Sequence, residues 1–388
     1  MAPRSLKTVR TAGLFATALV LAACGSSSNG SGGGGGGSSQ ADNPANVADE
    51  VVGSQDQLVD VTSLCPDSPV TLGYADSNGG NSWRKIVKAE FEDEVAKCGD
   101  SIDVIYTDAQ GDPEKLKSDL NGMIAKGVDG IALYNDPGPV TLPTVKQAMQ
   151  RGIPVVLFGG ELGGNPGVDY TADVTGYQSA PYVAGQDWAT WMAEQLGGKG
   201  NVAFLGGPPG NGFSEKVADG ILDVFKDHPE MTLLEGGSID TGWDPAETQK
   251  VTAGLLSKYD EVDGIISDYG LGSIGAMRAF QAAGRPLVPW AVQDGNDVAC
   301  TWKDLSKDNP DFALMTESSR TWISRLASHR LLAAVNRTEL DEPTAMGYTV
   351  VEDSTKGGDL EPKCNPDLPP DAILSTTLSP DQLAALFS

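Results

Sequence analysis

The chain has 388 residues, 40% of them apolar, with 53 acidic against 27 basic side chains and a formal net charge of −26. That length has room for two domains, and the acidic excess, read most simply as a solvated surface, excludes nucleic acid and anionic headgroups as charge-held partners. With only His228 and His329 and no Cys-x-x-Cys spacing, no zinc centre is expected, and no other metal or cofactor.

Arg4, Lys7 and Arg10 precede an apolar stretch over 13–22 that is too short to span a bilayer. This is the pattern of a secretory signal. Its end, Leu21-Ala22-Ala23-Cys24, resembles the bacterial lipobox, in which cleavage leaves a lipid-bearing Cys24. Residues 25–39 are almost pure Gly and Ser, a tether with a root-mean-square reach of about 20 Å. The polar, acidic segment after it is expected to lengthen that reach. The organisation read here is a signal peptide over 1–23 and a lipidated cysteine with flexible tether over 24–65. The body would be extracytoplasmic, anchored to the bacterial cell membrane.

The body alternates short apolar runs with amphipathic ones. Strands are predicted over 70–74, 102–106, 130–134 and 153–158, separated by helices over 83–97, 112–126 and 140–151. Asp112-Pro113-Glu114 places an N-cap and a first-turn proline at the start of the second helix. After a break near 173–176 the pattern restarts. Helices over 182–195, 213–228, 245–258 and 272–283 alternate with strands over 201–205, 231–235, 264–267 and 289–292. Two such runs predict an α/β protein of two doubly wound parallel-sheet lobes. Ligands of such sheets bind beyond the carboxyl ends of the strands. Gly206-Gly-Pro-Pro-Gly210 follows a strand but lacks the spacing of a phosphate or dinucleotide loop.

With Cys24 taken by lipid, Cys65, Cys98, Cys300 and Cys364 remain, an even number for an oxidising compartment. Four cysteines allow three pairings. Cys65 precedes the first predicted strand and Cys98 ends the following helix, two ends that lie close in a βα unit. Cys65–Cys98 is therefore preferred, and Cys300–Cys364 follows by elimination.

Four phrases, in order, resemble the type I periplasmic sugar-binding proteins, the group that includes ribose-binding protein. They are Lys126-Gly-Val-Asp-Gly-Ile-Ala-Leu-Tyr-Asn135, Ala148-Met-Gln-Arg-Gly-Ile-Pro-Val-Val156, Gly275-Ala-Met-Arg-Ala-Phe-Gln-Ala-Ala-Gly284 and Val292-Gln-Asp-Gly295. LacI-type repressors share this core but begin with a helix-turn-helix, where this chain has an export signal. The resemblance implies lobes over 66–172 plus 318–348 and over 173–317 plus 349–388. A three-segment hinge would lie near Asp173, Glu317 and Tyr348. It also implies a monomer that closes on a small ligand and delivers it to an ABC permease and its ATPase. Residues 353–388 lie beyond the resemblance and are expected to pack on lobe two.

The resemblance assigns ligand contacts to Asp76, Asn81, Ser82 and Trp83 after the first strand, to Asn135 after the third and to Asp294. It departs at Glu161, where the family often has Asp-Arg. It departs again at Phe213 and Glu215, near the family's helix-start arginine, at Asp268 and Tyr269, and at Glu317, where the family has glutamine. With two arginines missing and carboxylates added, an anionic ligand is disfavoured. A neutral sugar or polyol comes first and a cationic or amine-bearing ligand second. No hydrolase, metalloprotease or phosphate-loop motif appears, so no catalytic residue is assigned. A ligand-sensing partner of a membrane receptor is the alternative role.

Overall fold

A computed structural model describes residues 40–387. The signal, Cys24 and the Gly/Ser run over 25–39 lie outside the described residues. In chain order the strands and helices are β1 (Val52–Gly53), β2 (Val70–Asp76), α1 (Ser82–Ala96), β3 (Ile102–Asp108), α2 (Pro113–Lys126), β4 (Gly130–Asn135), α3 (Leu142–Gln150), β5 (Val155–Gly160) and β6 (Ala172–Asp173). Then come α4 (Ala180–Leu196), β7 (Lys199–Gly206), α5 (Gly212–Phe225), β8 (Glu230–Asp240), α6 (Pro245–Lys258), β9 (Gly264–Ser267), α7 (Gly270–Ala282), β10 (Trp290–Gln293), α8 (Asn296–Leu305) and β11 (Leu314–Glu317). α9 (Ile323–Asn336), β12 (Ala345–Met346), β13 (Val350–Asp353) and α10 (Pro380–Ala385) complete the chain.

Two sheets result. Lobe one is a parallel sheet in the order β3-β2-β4-β5-β6. Lobe two has the order β13-β11-β10-β9-β7-β8, parallel except for β13, which runs against β11. The central strands are buried on both faces and read as continuous apolar runs. Their period of two sends alternate residues to opposite faces. Leu72, Tyr74, Ala132, Val156 and Phe158 face α1 and α9, while Ile131, Leu133, Val155 and Leu157 face α2 and α3. Lobe two repeats the scheme, with α4 and α5 over Val202, Phe204 and Ile266 and α6 and α7 over Ala203, Leu205 and Ile265. The chain passes between lobes at 173–180, 317–323 and 346–350. Cys65 is bonded to Cys98 and Cys300 to Cys364. No helix among the described residues is long and apolar enough to cross a membrane.

Two expectations are corrected. Residues 40–64 are not tether. Asn43 Nδ2 donates to the Ala334 carbonyl at 2.7 Å, β1 pairs with β12, and Val61 and Leu64 are buried in the lobe-one core. Scattered apolar residues and long-range backbone bonds outweigh the polar composition there. The C-terminal segment does not stay on lobe two either. It is tied to α8 at Asn296 and by the Cys300–Cys364 bond, then crosses to α1, where Ile373, Leu378 and Leu383 pack on Ile86.

Between α1 and α9 lies a buried ionic network. Arg325 is bound to Glu90 and Glu94 and lies 2.7 Å from Asp93. His329 places Nε2 3.0 Å from Glu94 and Nδ1 2.9 Å from Glu342. A neutral imidazole would aim one lone pair at a carboxylate, so the geometry calls for the doubly protonated ring. Burial opposes that charge, but hydrogen bonds to Glu342 and Glu94 outweigh it and raise the His329 pKa. Burial also works against the Glu94 charge, yet bonds from His329, Lys97 and Arg325 bring its pKa down to about 2. The histidine's contribution is therefore complete below its unfolded value near 6.5 and is lost as pH rises through its folded value. The glutamate's contribution is complete above about 4.5 and is lost as pH falls through about 2. Melting temperature should consequently decline from pH 6 to pH 9. His329→Gln should destabilise by about 3 kcal/mol at pH 6 and flatten that decline in a calorimetric pH series; an unchanged slope would remove His329 as its source.

Candidate ligand cleft between the lobes

The carboxyl ends of both sheets meet the three passages of chain around a cavity of about 110 Å³. Lobe one supplies Asn81, Trp83 and Arg84 from the start of α1, Tyr134 from β4 and Phe158 from β5. Lobe two supplies Phe213 at the start of α5, Trp243 beyond β8, Asp268 and Tyr269 beyond β9, and Gln293 at the end of β10. Each passage adds to the floor: Tyr177 from the first, Ser319 and Arg320 from the second, Tyr348 from the third.

Local chemistry sets these side chains. Asn81 is the N-cap of α1, accepting from the Arg84 amide at 2.9 Å. Trp83 donates its indole N–H to the Ser319 carbonyl at 2.7 Å, and Trp243 donates its own to Asp268 Oδ1 at 2.8 Å. Both rings thus present faces rather than donors. Tyr134 can lie across the sheet because residue 159 is glycine, where a Cβ would stand 1.9 Å from the ring. Gly207 does the same for Trp243, with a Cβ position 2.6 Å from the indole. The glycine-rich stretch after β7 therefore makes room for an aromatic wall.

Charge in the cleft is compensated. Arg84 bonds Asp76 at 2.9 Å and Asp136 at 2.7 Å, and its guanidinium carbon stands 3.1 Å from the Tyr134 ring centroid. Arg320 donates to the Thr175 carbonyl at 2.9 Å and stacks on Tyr348 at 5.1 Å. Burial raises the Asp268 pKa to about 7, against the lowering effect of bonds from Ser214 and Trp243. The two arginines expected from the resemblance are absent from their positions, but the cleft does hold guanidinium groups. Arg84 and Arg320 are present, supplied by positions the family phrases do not cover.

Of the residues singled out in the sequence, Asn81, Trp83, Phe213, Asp268 and Tyr269 come together on the cavity wall. Asp76 sits behind the wall as a partner of Arg84. The other assignments are corrected. The buried Asn135 spends its side chain locally, donating to the Gly138 and Glu161 carbonyls at 2.9 and 2.6 Å and accepting from Thr141 at 2.6 Å. Asp294 is also buried; it accepts from the Ser319 amide at 2.7 Å and from the Ser375 amide and hydroxyl at 2.6 and 3.0 Å. Ser82 bonds Asp371. Glu161 lies 3.9 Å from Lys216 of α5, a contact between lobes, and Glu215 points to solvent. Glu317 is buried beneath the floor with Oε2 unpartnered, and burial, with Asp187 nearby, holds its pKa well above the usual carboxylate range.

Sequence reasoning missed most of the aromatic wall. Ending the strand at Glu235 rather than Asp240 hid Trp243, which lies three residues beyond the true strand end. Choosing Asp294 overlooked its neighbour Gln293, the last residue of β10. Tyr177, Arg320 and Tyr348 lie on passages that carry no periodic signal.

The family model described as a periplasmic binding protein domain matches residues 73–304. The xylitol-binding protein of Mycolicibacterium smegmatis is 28% identical over 207 residues, 53% of this chain and 57% of that protein. The ribose import binding protein RbsB of Bacillus subtilis is 23% identical over 60% of this chain and 73% of its own length. Among solved structures, the periplasmic binding component of the arabinose ABC transporter of Shewanella sp. ANA-3 superimposes with a TM-score of 0.60 at 19% identity. It covers 72% of this chain and 91% of that one.

Because burial disfavours its anion, Asp268 costs the fold increasing stability as pH climbs from the unfolded value near 4 to about 7. Asp268→Asn should raise the melting temperature at pH 8, where the cost is largest, and give no gain at pH 4. Equal shifts at both pH values would show that the carboxyl is not titrating in this window.

Proposed function

The chain belongs to the periplasmic binding protein domain family, and from that premise we propose that it captures a neutral sugar or polyol between its lobes for an ABC importer. The observation that carries this reading is the cavity itself. Aromatic faces from both lobes and from the passages converge with polar groups of Asn81, Gln293 and Arg320 on a space of about 110 Å³. Aromatic faces cover the C–H surface of a polyol, and planar amides and guanidinium groups bond its hydroxyls. A ligand touching both lobes stabilises the closed arrangement by its differential affinity for it. Charge supports neutrality. Arg84 is matched by Asp76 and Asp136, and burial raises the Asp268 pKa to about 7, which disfavours its charge. Arg320, which has no carboxylate partner among the described residues, weighs against an amine-bearing ligand.

The proposed setting is extracytoplasmic, with a monomeric body held by lipid on Cys24, as residues 21–24 suggest. The relatives bear binding-protein names, and no catalysis is proposed. Ser319, Arg320 and Tyr348 line the floor and also lie on the passages that join the lobes, so ligand contact and closure are one event at the same atoms.

Neutral sugars and polyols should raise the melting temperature, whereas acidic and cationic sugars should not. Gln293→Leu should weaken binding by about 1–2 kcal/mol without destabilising the free protein, because the Gln293 amide has no partner among the described residues. Stabilisation only by charged sugars in a thermal-shift panel would refute the neutral-ligand reading. Undiminished sugar uptake after deletion would refute the importer role and favour sensing.

A further inference from the structure

We propose that the cleft selects a sugar or polyol with a deoxygenated or alkylated face over its fully hydroxylated counterpart. This rests on the sugar-binding reading and narrows it. Eight aromatic rings line a cavity in which few polar groups remain uncommitted. Both lining indoles have spent their N–H groups inside the protein, Trp83 on Ser319 and Trp243 on Asp268. Asp268 already accepts a bond on each oxygen. Arg84 is engaged by two carboxylates. Left for a ligand are the Gln293 amide, the Asn81 Nδ2, the Tyr269 hydroxyl and the remaining donors of Arg84 and Arg320, while the Tyr134 and Tyr177 hydroxyls bond each other and that of Tyr348 bonds Arg320. A hexose brings five hydroxyls, each able to donate and accept. Any hydroxyl pressed against a ring without a partner costs about 5- to 150-fold in affinity. A methyl or methylene at that place loses no hydrogen bond and gains contact.

Matched pairs test the choice. L-Fucose and L-rhamnose are compared with L-galactose and L-mannose, and methyl and phenyl β-glucosides with glucose, by tryptophan fluorescence and calorimetry on the purified protein. The deoxygenated or alkylated member should bind about 10- to 100-fold tighter in at least one pair, and Phe213→Ser should shrink that ratio. If every pair that binds prefers the hydroxylated member, or shows no preference, the selectivity is refuted while the sugar-binding reading stands. If no sugar or polyol binds, including xylitol and ribose, the sugar-binding reading fails and the selectivity with it.

A separate set of contacts leads us to infer that residues 365–387 restrain the hinge as a fourth connection between lobes. On lobe two, Asn296 Nδ2 donates to the carbonyls of Asn365, Leu368 and Pro369 at 2.8, 3.1 and 3.2 Å, and its backbone N–H to Ala372 at 2.8 Å. At the second passage, Ser375 holds Asp294, which also holds the Ser319 amide. On lobe one, Thr376 and the Thr377 amide donate to Glu90 at 2.7 and 2.8 Å, Gln382 donates to Asp93 at 2.6 Å, and the apolar side chains seat on α1. Opening must bend this strap or detach one end.

Two variants release it: truncation after Pro369, which keeps the Cys300–Cys364 bond, and the triple substitution T376A/T377A/L378S. In the ligand-free protein the radius of gyration from X-ray scattering should rise. Amide exchange at 174–179, 318–322 and 346–350 should accelerate about tenfold or more. Unchanged scattering and unchanged exchange at those passages in the folded truncation variant would overturn the restraint.

Discussion

Parallel strands cannot be joined by tight turns, so each must return through a crossover that starts at the same end of the sheet. All the strand ends that release loops in one lobe therefore lie on one edge. When two such lobes are joined by passages at that edge, those loops have to face one another. The cavity follows from this constraint before any side chain is chosen. Asn81, Trp83 and Arg84 follow β2, Trp243 follows β8, and Asp268 and Tyr269 follow β9, each where a strand gives way to its loop or helix.

What the side chains add is a division between recognition and restraint. Buried charge is costly unless matched, and the chain matches it by building pairs and triads away from the cavity centre. Arg84 is pinned by Asp76 and Asp136 at the wall. Arg325, Glu90, Glu94 and His329 join α1 to α9 within lobe one. Asp294 joins the second passage to the C-terminal strap. The cavity interior is left to ring faces. Asp294, beside the cavity residue Gln293, is bonded by the protein's own Ser375.

The fold was largely legible from the sequence because apolar periodicity and cap residues act locally. The strand–helix alternation from residue 70 to residue 293 is recovered with shifts of a few residues. The site was legible only in part. Asn81 and Trp83 stand beside a strand end and could be found. Asn135 and Asp294 occupy equally good positions, but their side chains are taken by Thr141 and by Ser375, partners that only three-dimensional packing reveals. The segment over 40–64 misled for the same reason, since its polar composition conceals Val61 and Leu64 inserted beneath α9.

Lobe one is completed by pieces remote in sequence. Thr321 and Thr377 reach Glu90 across separations of 231 and 287 residues. A chain made from its amino end exposes β2 to β5 long before α9 arrives to cover Leu72, Tyr74 and Phe158. Contacts of such range form slowly, and an uncovered apolar sheet face attracts other chains meanwhile. Folding of the body thus depends on a protected interval, because lobe one waits for α9 and lobe two waits longer still for β13, the strand that completes its sheet.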